Sequence, residues 1–248
     1  MFWLSDKQFA LMRPYFPLAH GIPRRDDRKV ISEIIHVIRN GLRWRDAPGD
    51  CGPYKTLYNR FVRWCRLGVF DRIFSSLSAK AGDPDIIQID ATHLKAHRAA
   101  CSLAKRDVLR HIGRTKGGLN SELHAVVNSE GKPIVMALTA GQVSDHIGAR
   151  IIYPGLPNAA TLIGDKGYDS DELRTALKAK GIATCIAPRA KSKNPAEYSE
   201  TMYKKRHKVE NTFSKLKDWR RIATRYDRSA DTFFSAITIA VTVIFWLM

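Results

Sequence analysis

Two short β-branched runs constrain the fold more than any other feature of the sequence. They are Ile86-Ile87-Gln88-Ile89 and Thr161-Leu162-Ile163-Gly164, and each is followed at once by an aspartate, Asp90 and Asp165. Runs of this length and composition read as buried strands. Between them, Leu123 to Val127 and Pro133 to Leu138 flank Asn128-Ser129-Glu130-Gly131, a hairpin pattern. A helix is expected around Asp145 to Tyr153, and another opens at Ser170-Asp171-Glu172 and stops at Gly181. Ile182 to Ala187 reads as a further strand, and a long helix is expected from about Glu200 to Arg221. The order predicts a mixed sheet covered by helices, an α/β class.

Residues 1–80 read differently, as a small helical domain. Ser5-Asp6 can cap a helix that Pro14 ends, and Asp26-Asp27 precede Val30, Ile31, Ile34, Ile35 and Ile38 on an i, i+3/i+4 pattern closed by Asn40-Gly41. Tyr54 to Leu67, with Leu57, Phe61 and Trp64 apolar, and Phe70 to Leu77 complete it. Such a unit can hold DNA in a helix-turn-helix manner or serve packing alone. Arg24, Arg25, Arg28, Lys29, Arg39, Arg43 and Arg45 favour DNA. The pattern changes near Gly82-Asp83-Pro84, so residues 84–248 are expected to form the α/β domain. Its residues 98–118, with Arg98, Lys105, Arg106, Arg110, Arg114 and Lys116, read as a basic loop.

With 41 Lys and Arg against 24 Asp and Glu, the 248-residue chain carries +17, which points to a polyanionic partner, most often nucleic acid. Hydrophobic residues at 44% and charged residues at 26% exclude global disorder. Cys51, Cys65, Cys101 and Cys185 contain no CxxC pair and are read as free thiols of a reducing compartment. The N-terminus shows neither the basic nor the apolar region of a secretory signal. Thr232 to Met248 is apolar, at the short limit for a membrane span. With a mean hydropathy of -0.27 and no second such segment, a buried core helix is the better reading than a membrane anchor.

Asp90 and Asp165 stand at the carboxyl ends of strands, where open α/β sheets build their sites. A carboxylate there needs a cation or a hydrogen-bonded partner. Glu210 is the third candidate. At about 100° per residue, Tyr203, Arg206, Glu210 and Lys217 share a stripe roughly 60° wide, beside apolar Val209, Phe213 and Leu216. Three converging carboxylates repel one another unless divalent metal is present, and oxygen donors suit Mg²⁺ or Mn²⁺. Two such ions, about 3.5–4 Å apart, would serve phosphodiester chemistry. Residues 189–228 hold 13 Lys and Arg against five acids, which would line the path of a phosphate backbone. His93 and His97, four apart, are a weaker zinc candidate.

The motif Tyr203-x2-Arg206-x3-Glu210-x6-Lys217 resembles the Y-(2)-R-(3)-E-(6)-K signature of IS5/IS4-type bacterial insertion-sequence transposases, which are DDE enzymes. Ile89-Asp90-Ala91-Thr92-His93 and Asp165-Lys166-Gly167-Tyr168-Asp169 resemble the blocks around the family's two aspartates. Ile112 to Leu119 with His124, Gly141-Gln142 with Asp145, and the N-terminal Gly41 to Pro48 block also resemble the family. The resemblance implies a ribonuclease H-like catalytic domain with a DDE triad of Asp90, Asp165 and Glu210, and it implies cleavage at element ends followed by strand transfer into target DNA. It makes Tyr203, Arg206 and Lys217 contacts to DNA, with Lys166, Arg114 and Lys116 as further basic contacts. It also implies a bacterial cytoplasmic, nucleoid-associated enzyme, acting as a homodimer or larger assembly on inverted-repeat ends. The alternative is a transposase-derived DNA-binding protein that no longer cuts, and the presence of all three acids favours the enzyme.

Overall fold

A computed structural model describes residues 2–18, 26–49, 52–102, 109–190 and 196–247. Arg24, Arg25, Cys51, Lys105 and Arg106 lie outside the described residues. In chain order the elements are α1 (Asp6–Met12), α2 (Asp27–Asn40), α3 (Tyr54–Arg66), α4 (Val69–Ala79), β1 (Ile86–Ala96), α5 (Arg98–Cys101), β2 (Gly113–Thr115), β3 (Gly118–Val127) and β4 (Pro133–Ala140). There follow α6 (Asp145–Ile152), β5 (Thr161–Gly164), α7 (Asp171–Ala179), β6 (Ala183–Ile186), α8 (Glu200–Tyr203), α9 (His207–Lys217), α10 (Arg220–Ala223), β7 (Thr224–Arg225) and α11 (Ala230–Val241).

The chain divides into two compact units. The first comprises Met1–Leu77, His97–Arg110 and Leu216–Met248. The caps seen in the sequence work here: Ser5 and Gln8 form a capping box on α1, and the Asp26 side chain accepts from Arg28 N to open α2. Gly41, at φ 72°, ends α2 in the left-handed conformation, and the Arg220 Cβ lies only 2.7 Å from where a Gly41 Cβ would stand. The apolar stripe of α2 is buried through Val30, Ile31, Ile34, Ile35 and Ile38, and α2 packs against α3, α10 and α11. Trp44 stacks on Phe61 at 5.0 Å, and Trp64 meets Phe16 edge-on at 4.6 Å. The apolar C-terminal segment is α11 and one wide turn, Thr242–Trp246, with Phe233, Ile237 and Val241 fully buried. No helix among the described residues is long and apolar enough to cross a membrane.

The second unit, Ser78–Ala96 with His111–Lys215, carries the sheet. Its strand order is β2-β3-β1-β5-β6, with β4 also paired to β3. β1 is antiparallel to β3 and parallel to β5, and β5 is parallel to β6. The β3–β4 hairpin turns where the sequence indicated: Asn128 Oδ1 accepts from the Glu130 and Lys132 amides, and Gly131 takes φ 81°. One face of the sheet is covered by α6 and α7, whose Ala149, Ile152, Leu173 and Leu177 pack on Ile87, Ile89, Val126 and Leu162.

Three sequence expectations are corrected. β1 does not end at Asp90: antiparallel pairing with β3 carries it six residues further, to Ala96. Within the expected basic loop 98–118, α5, the edge strand β2 and the start of β3 form, because Arg114 and its neighbours find ladder partners at Gly118–Asn120. The single helix expected over 200–221 is broken: Lys204–Arg206 tightens into a 3₁₀ turn between α8 and α9, and the chain restarts at α10 after Trp219. Short 3₁₀ segments inside a helical run change the direction of the side chains that follow. Here the turn carries Arg206 onto a carboxylate of the sheet.

Candidate catalytic carboxylate site

The parallel β1–β5 ladder ends on the pair Ile89↔Gly164, so Asp90 comes next on β1 and Asp165 is the first residue after β5. From there β1 continues beside β3, while β5 ends at Gly164 and the chain turns away at Asp165. Asp90 therefore sits mid-strand, one residue past the end of its strand's pairing with β5. Its Oδ1 accepts from the Ala91 amide at 2.9 Å, and its Oδ2 accepts from Arg206 Nη1 at 2.9 Å. Burial pushes its carboxyl up to about 6, and the charges of Asp165 and Glu210 push the same way. The Ala91 amide and the Arg206 guanidinium pull against them.

Asp165 caps the 3₁₀ turn Lys166–Tyr168, its Oδ1 accepting from the Gly167 amide at 2.6 Å. That turn is tied down behind it. Arg189 donates through Nε and Nη2 to the carbonyls of Lys166 and Gly167, and its amide donates to Asp169 Oδ2. Arg174 holds Asp169 at 2.8 Å and reaches the Ile186 carbonyl on β6. Tyr168 is fully buried, with no hydrogen-bond partner for its hydroxyl.

Glu210 lies in the first turn of α9, and its Oε1 accepts from Arg206 Nη2 at 2.5 Å. One guanidinium thus joins the sheet acid to the helix acid. Tyr203, at the end of α8, stands edge-on to Tyr198 and places its ring 5.9 Å from the Arg206 guanidinium. Lys166 is exposed on the turn beside Asp165. Arg114 and Lys116 are exposed on β2 and its turn, which β3 separates from β1. Lys217 closes α9, where the chain has passed into the first unit. His93 and His97 do not form a helical i, i+4 pair, since β1 is extended there: His93 Nε2 meets the Gly141 carbonyl at 3.0 Å, whereas His97 caps α5.

Other polar groups of the second unit escaped the sequence reading as a set. Glu122 and His124 on β3 share parity with core-facing Val126, and all three point to the α6 face. His124 is fully buried and Glu122 nearly so, with Asp145 beside them at the start of α6. The signal was present in the sequence, as two ionisable residues on the apolar parity of a central strand.

A mixed sheet with an antiparallel hairpin, a central strand bearing an acid and a helix returning a second acid is the ribonuclease H-like architecture of polynucleotidyl transferases. Residues 81–245 match the family described as "Transposase DDE domain", and residues 4–74 match "Putative transposase of IS4/5 family". The chain belongs to the IS4/5-type DDE transposases, enzymes of DNA transposition. It is 33% identical over 132 residues to a putative transposase for the insertion sequence element IS6501 of Brucella ovis, spanning 52% of this chain and 99% of that one. It is 30% identical over 156 residues to a putative transposase for IS402 of Burkholderia cepacia, spanning 55% of this chain and 72% of the relative. Its fold is similar to that of the piggyBac transposase in a synaptic complex with hairpin DNA, with a TM-score of 0.53, 9% identity, and coverage of 95% of this chain and 69% of that one.

Proposed function

We propose that Asp90, Asp165 and Glu210 are the catalytic triad of this transposase and hold two divalent ions, Mg²⁺ or Mn²⁺. The observation that carries the reading is the Arg206 bridge between Asp90 and Glu210, with Asp165 one residue beyond the last β1–β5 pair and its charge acting on Asp90. Carboxylates drawn this close demand positive charge, and their all-oxygen donor set fits a hard cation. When bound, such ions activate the attacking oxygen and stabilise the leaving oxygen at a phosphodiester. The chain's own residues do the rest. The ladder between β1 and β5 fixes the two aspartates, and the Arg174–Asp169–Arg189 links fix the loop that presents Asp165. With ions held by the carboxylates, Arg206 would be free to hold a phosphate of the strand being cut, beside the Tyr203 ring. Lys166 extends the basic surface next to Asp165.

DNA is the partner under this reading, as inverted-repeat ends and target, and residues 1–80 supply further contacts through Arg28, Lys29, Arg39, Arg43 and Arg45. Arg114 and Lys116 serve the backbone further from the chemistry, and Lys217 does so from the end of α9. A homodimer or larger assembly pairs the two ends, and the enzyme works in the bacterial cytoplasm at the nucleoid. The experiment is incubation of the protein with a duplex that carries the DNA flanking its own gene. Nicking at the element boundary with Mg²⁺, and none with chelator, supports the reading. Binding without nicking under both conditions would support the inactive DNA-binding alternative.

A further inference from the structure

The polar cluster on the opposite face of the sheet has no role in the reaction outlined above. In an antiparallel pair, residues directly opposite share a face and successive residues alternate. Asp90 pairs with Ala125, Ala91 with His124, and His93 with Glu122. Glu122 and His124 therefore project away from the Asp90 side, onto the face that α6 covers. Asp145, the first residue of α6, joins them there: one ligand atom from each of Glu122, His124 and Asp145 lies within 4.8 Å of the other two.

We propose that Glu122, His124 and Asp145 form a second divalent-cation site, adjoining the triad where Asp145 nears Asp165, that takes a transition metal of the Zn²⁺ or Mn²⁺ class. Geometry and unmet bonding carry it together. Glu122 is 4% exposed and its Oε2 has no hydrogen-bond partner, lying 3.8 Å from His124 Nε2. His124 is 0% exposed; its Nε2, the nitrogen towards Glu122, lies 2.9 Å from Thr139 Oγ1, and its Nδ1, on the Gly148 side, has no partner. Buried polar atoms without partners are uncommon in a native fold and mark an absent water or ion.

The electrostatics agree with the geometry. Burial pushes the Glu122 carboxyl up to about 7 and raises that of Asp145, so both carry charge at a cost that a cation removes. Burial also lowers the His124 imidazole to about 4, leaving a neutral ring with a lone pair to donate at neutral pH. One imidazole nitrogen with two carboxylates is a donor set for Zn²⁺ or Mn²⁺ rather than for Mg²⁺ or Ca²⁺, which take oxygens alone. Around the three ligands, Thr139 steadies the ring and His93 stands 3.6 Å from Glu122 Oε1. An ion here would tie β3 to the start of α6. It would also fix Asp145, whose Oδ2 stands 2.4 Å, and the Asp165 Oδ1 2.7 Å, from where a Gly167 Cβ would lie.

Zn²⁺ is the probe, used on full-length protein in which the triad is disarmed by Asp90→Asn with Glu210→Gln. Calorimetric titration is expected to show one Zn²⁺ per chain, and Glu122→Gln or Asp145→Asn added to that background is expected to weaken it at least tenfold. With Mn²⁺ in the same background, electron spin-echo spectra are expected to show nitrogen coupling from one imidazole. This measurement stands even if the added variants fail to fold. Absence of Zn²⁺ binding in the disarmed protein would overturn the site. So would binding that Glu122→Gln and Asp145→Asn leave unchanged, which would assign the ion to surface histidines. Either result leaves the triad reading untouched, because that reading is tested by strand cleavage.

Discussion

Arg206 Nη1 lies 2.9 Å from Asp90 Oδ2, an ion pair between the 3₁₀ turn that precedes α9 and the central strand β1. The same guanidinium reaches Glu210 on the next helical turn. A cation already built into the chain thus stands between two acids that the triad reading assigns to metal. Under that reading one guanidinium offsets part of the acids' charge, and metal entry is a competition between Arg206 and the ions.

That competition predicts opposite effects of Arg206→Ala on stability and on metal affinity. Loss of the bond to part-buried Asp90 is expected to cost about 1–3 kcal/mol, while the exposed Glu210 pair adds less than about 1. Thermal melts without metal measure the loss. Mg²⁺ should bind the variant more tightly than it binds the parent, with strand cleavage reduced. Weaker Mg²⁺ binding to Arg206→Ala would contradict the competition.

The elevated Asp90 carboxyl sets a pH dependence. An aspartate of the unfolded chain titrates near ~3.9, whereas in the fold Asp90 is pushed up to about 6, chiefly by burial. The folded state therefore binds this proton more tightly. Ionisation costs stability: the cost is absent below the unfolded value, sets in as pH rises between the two and is complete above about 6. A divalent ion offsets the cost only where Asp90 is ionised. Mg²⁺ is thus expected to raise the melting temperature more at about pH 8 than at about pH 5. Equal shifts at both would detach Asp90 from the metal.

Arg221 and Asp227 form a buried bidentate pair in the helical unit, at 3.0 Å to each carboxylate oxygen, with Arg221 also donating to the Leu42 carbonyl. Asp227→Ala leaves a buried guanidinium half-partnered and is expected to destabilise by about 3–5 kcal/mol. Denaturant unfolding measures it. A change below about 1 kcal/mol would show that water reaches the pair.

Gly148 gives α6 its close approach to the sheet: a Cβ there would stand 2.2 Å from the His124 ring. Gly148→Ala is expected to lose about 1–3 kcal/mol by overpacking, although alanine is the better helix former. A stabilised variant in chemical denaturation would mean that the ring can move aside.

The helical unit was legible in the sequence because its signals are local. Ser5, Asp26 and Gly41 cap their helices as their residue types dictate, and the α2 stripe buries the residues its spacing marks. The hairpin at Asn128–Gly131 was legible for the same reason. What escaped depended on partners distant in sequence. β1 runs past Asp90 because β3 pairs with it as far as Lys95, a contact no local pattern announces. The stripe of Tyr203, Arg206 and Glu210 was drawn on one continuous helix, yet a 3₁₀ turn intervenes where Arg206 reaches Asp90. Glu122 carried no mark in the sequence, and His124 only that of a block resembling the family, until the register placed both on the buried face.

The most direct test of the central assignment is Mg²⁺-dependent strand cleavage, measured beside DNA binding, for Asp90→Asn, Asp165→Asn and Glu210→Gln on a duplex bearing the element's own ends. The assignment predicts that each variant loses cleavage by at least about a hundredfold, of order 3 kcal/mol in the barrier, while DNA binding persists. Cleavage at the parental rate by any one of the three would contradict it.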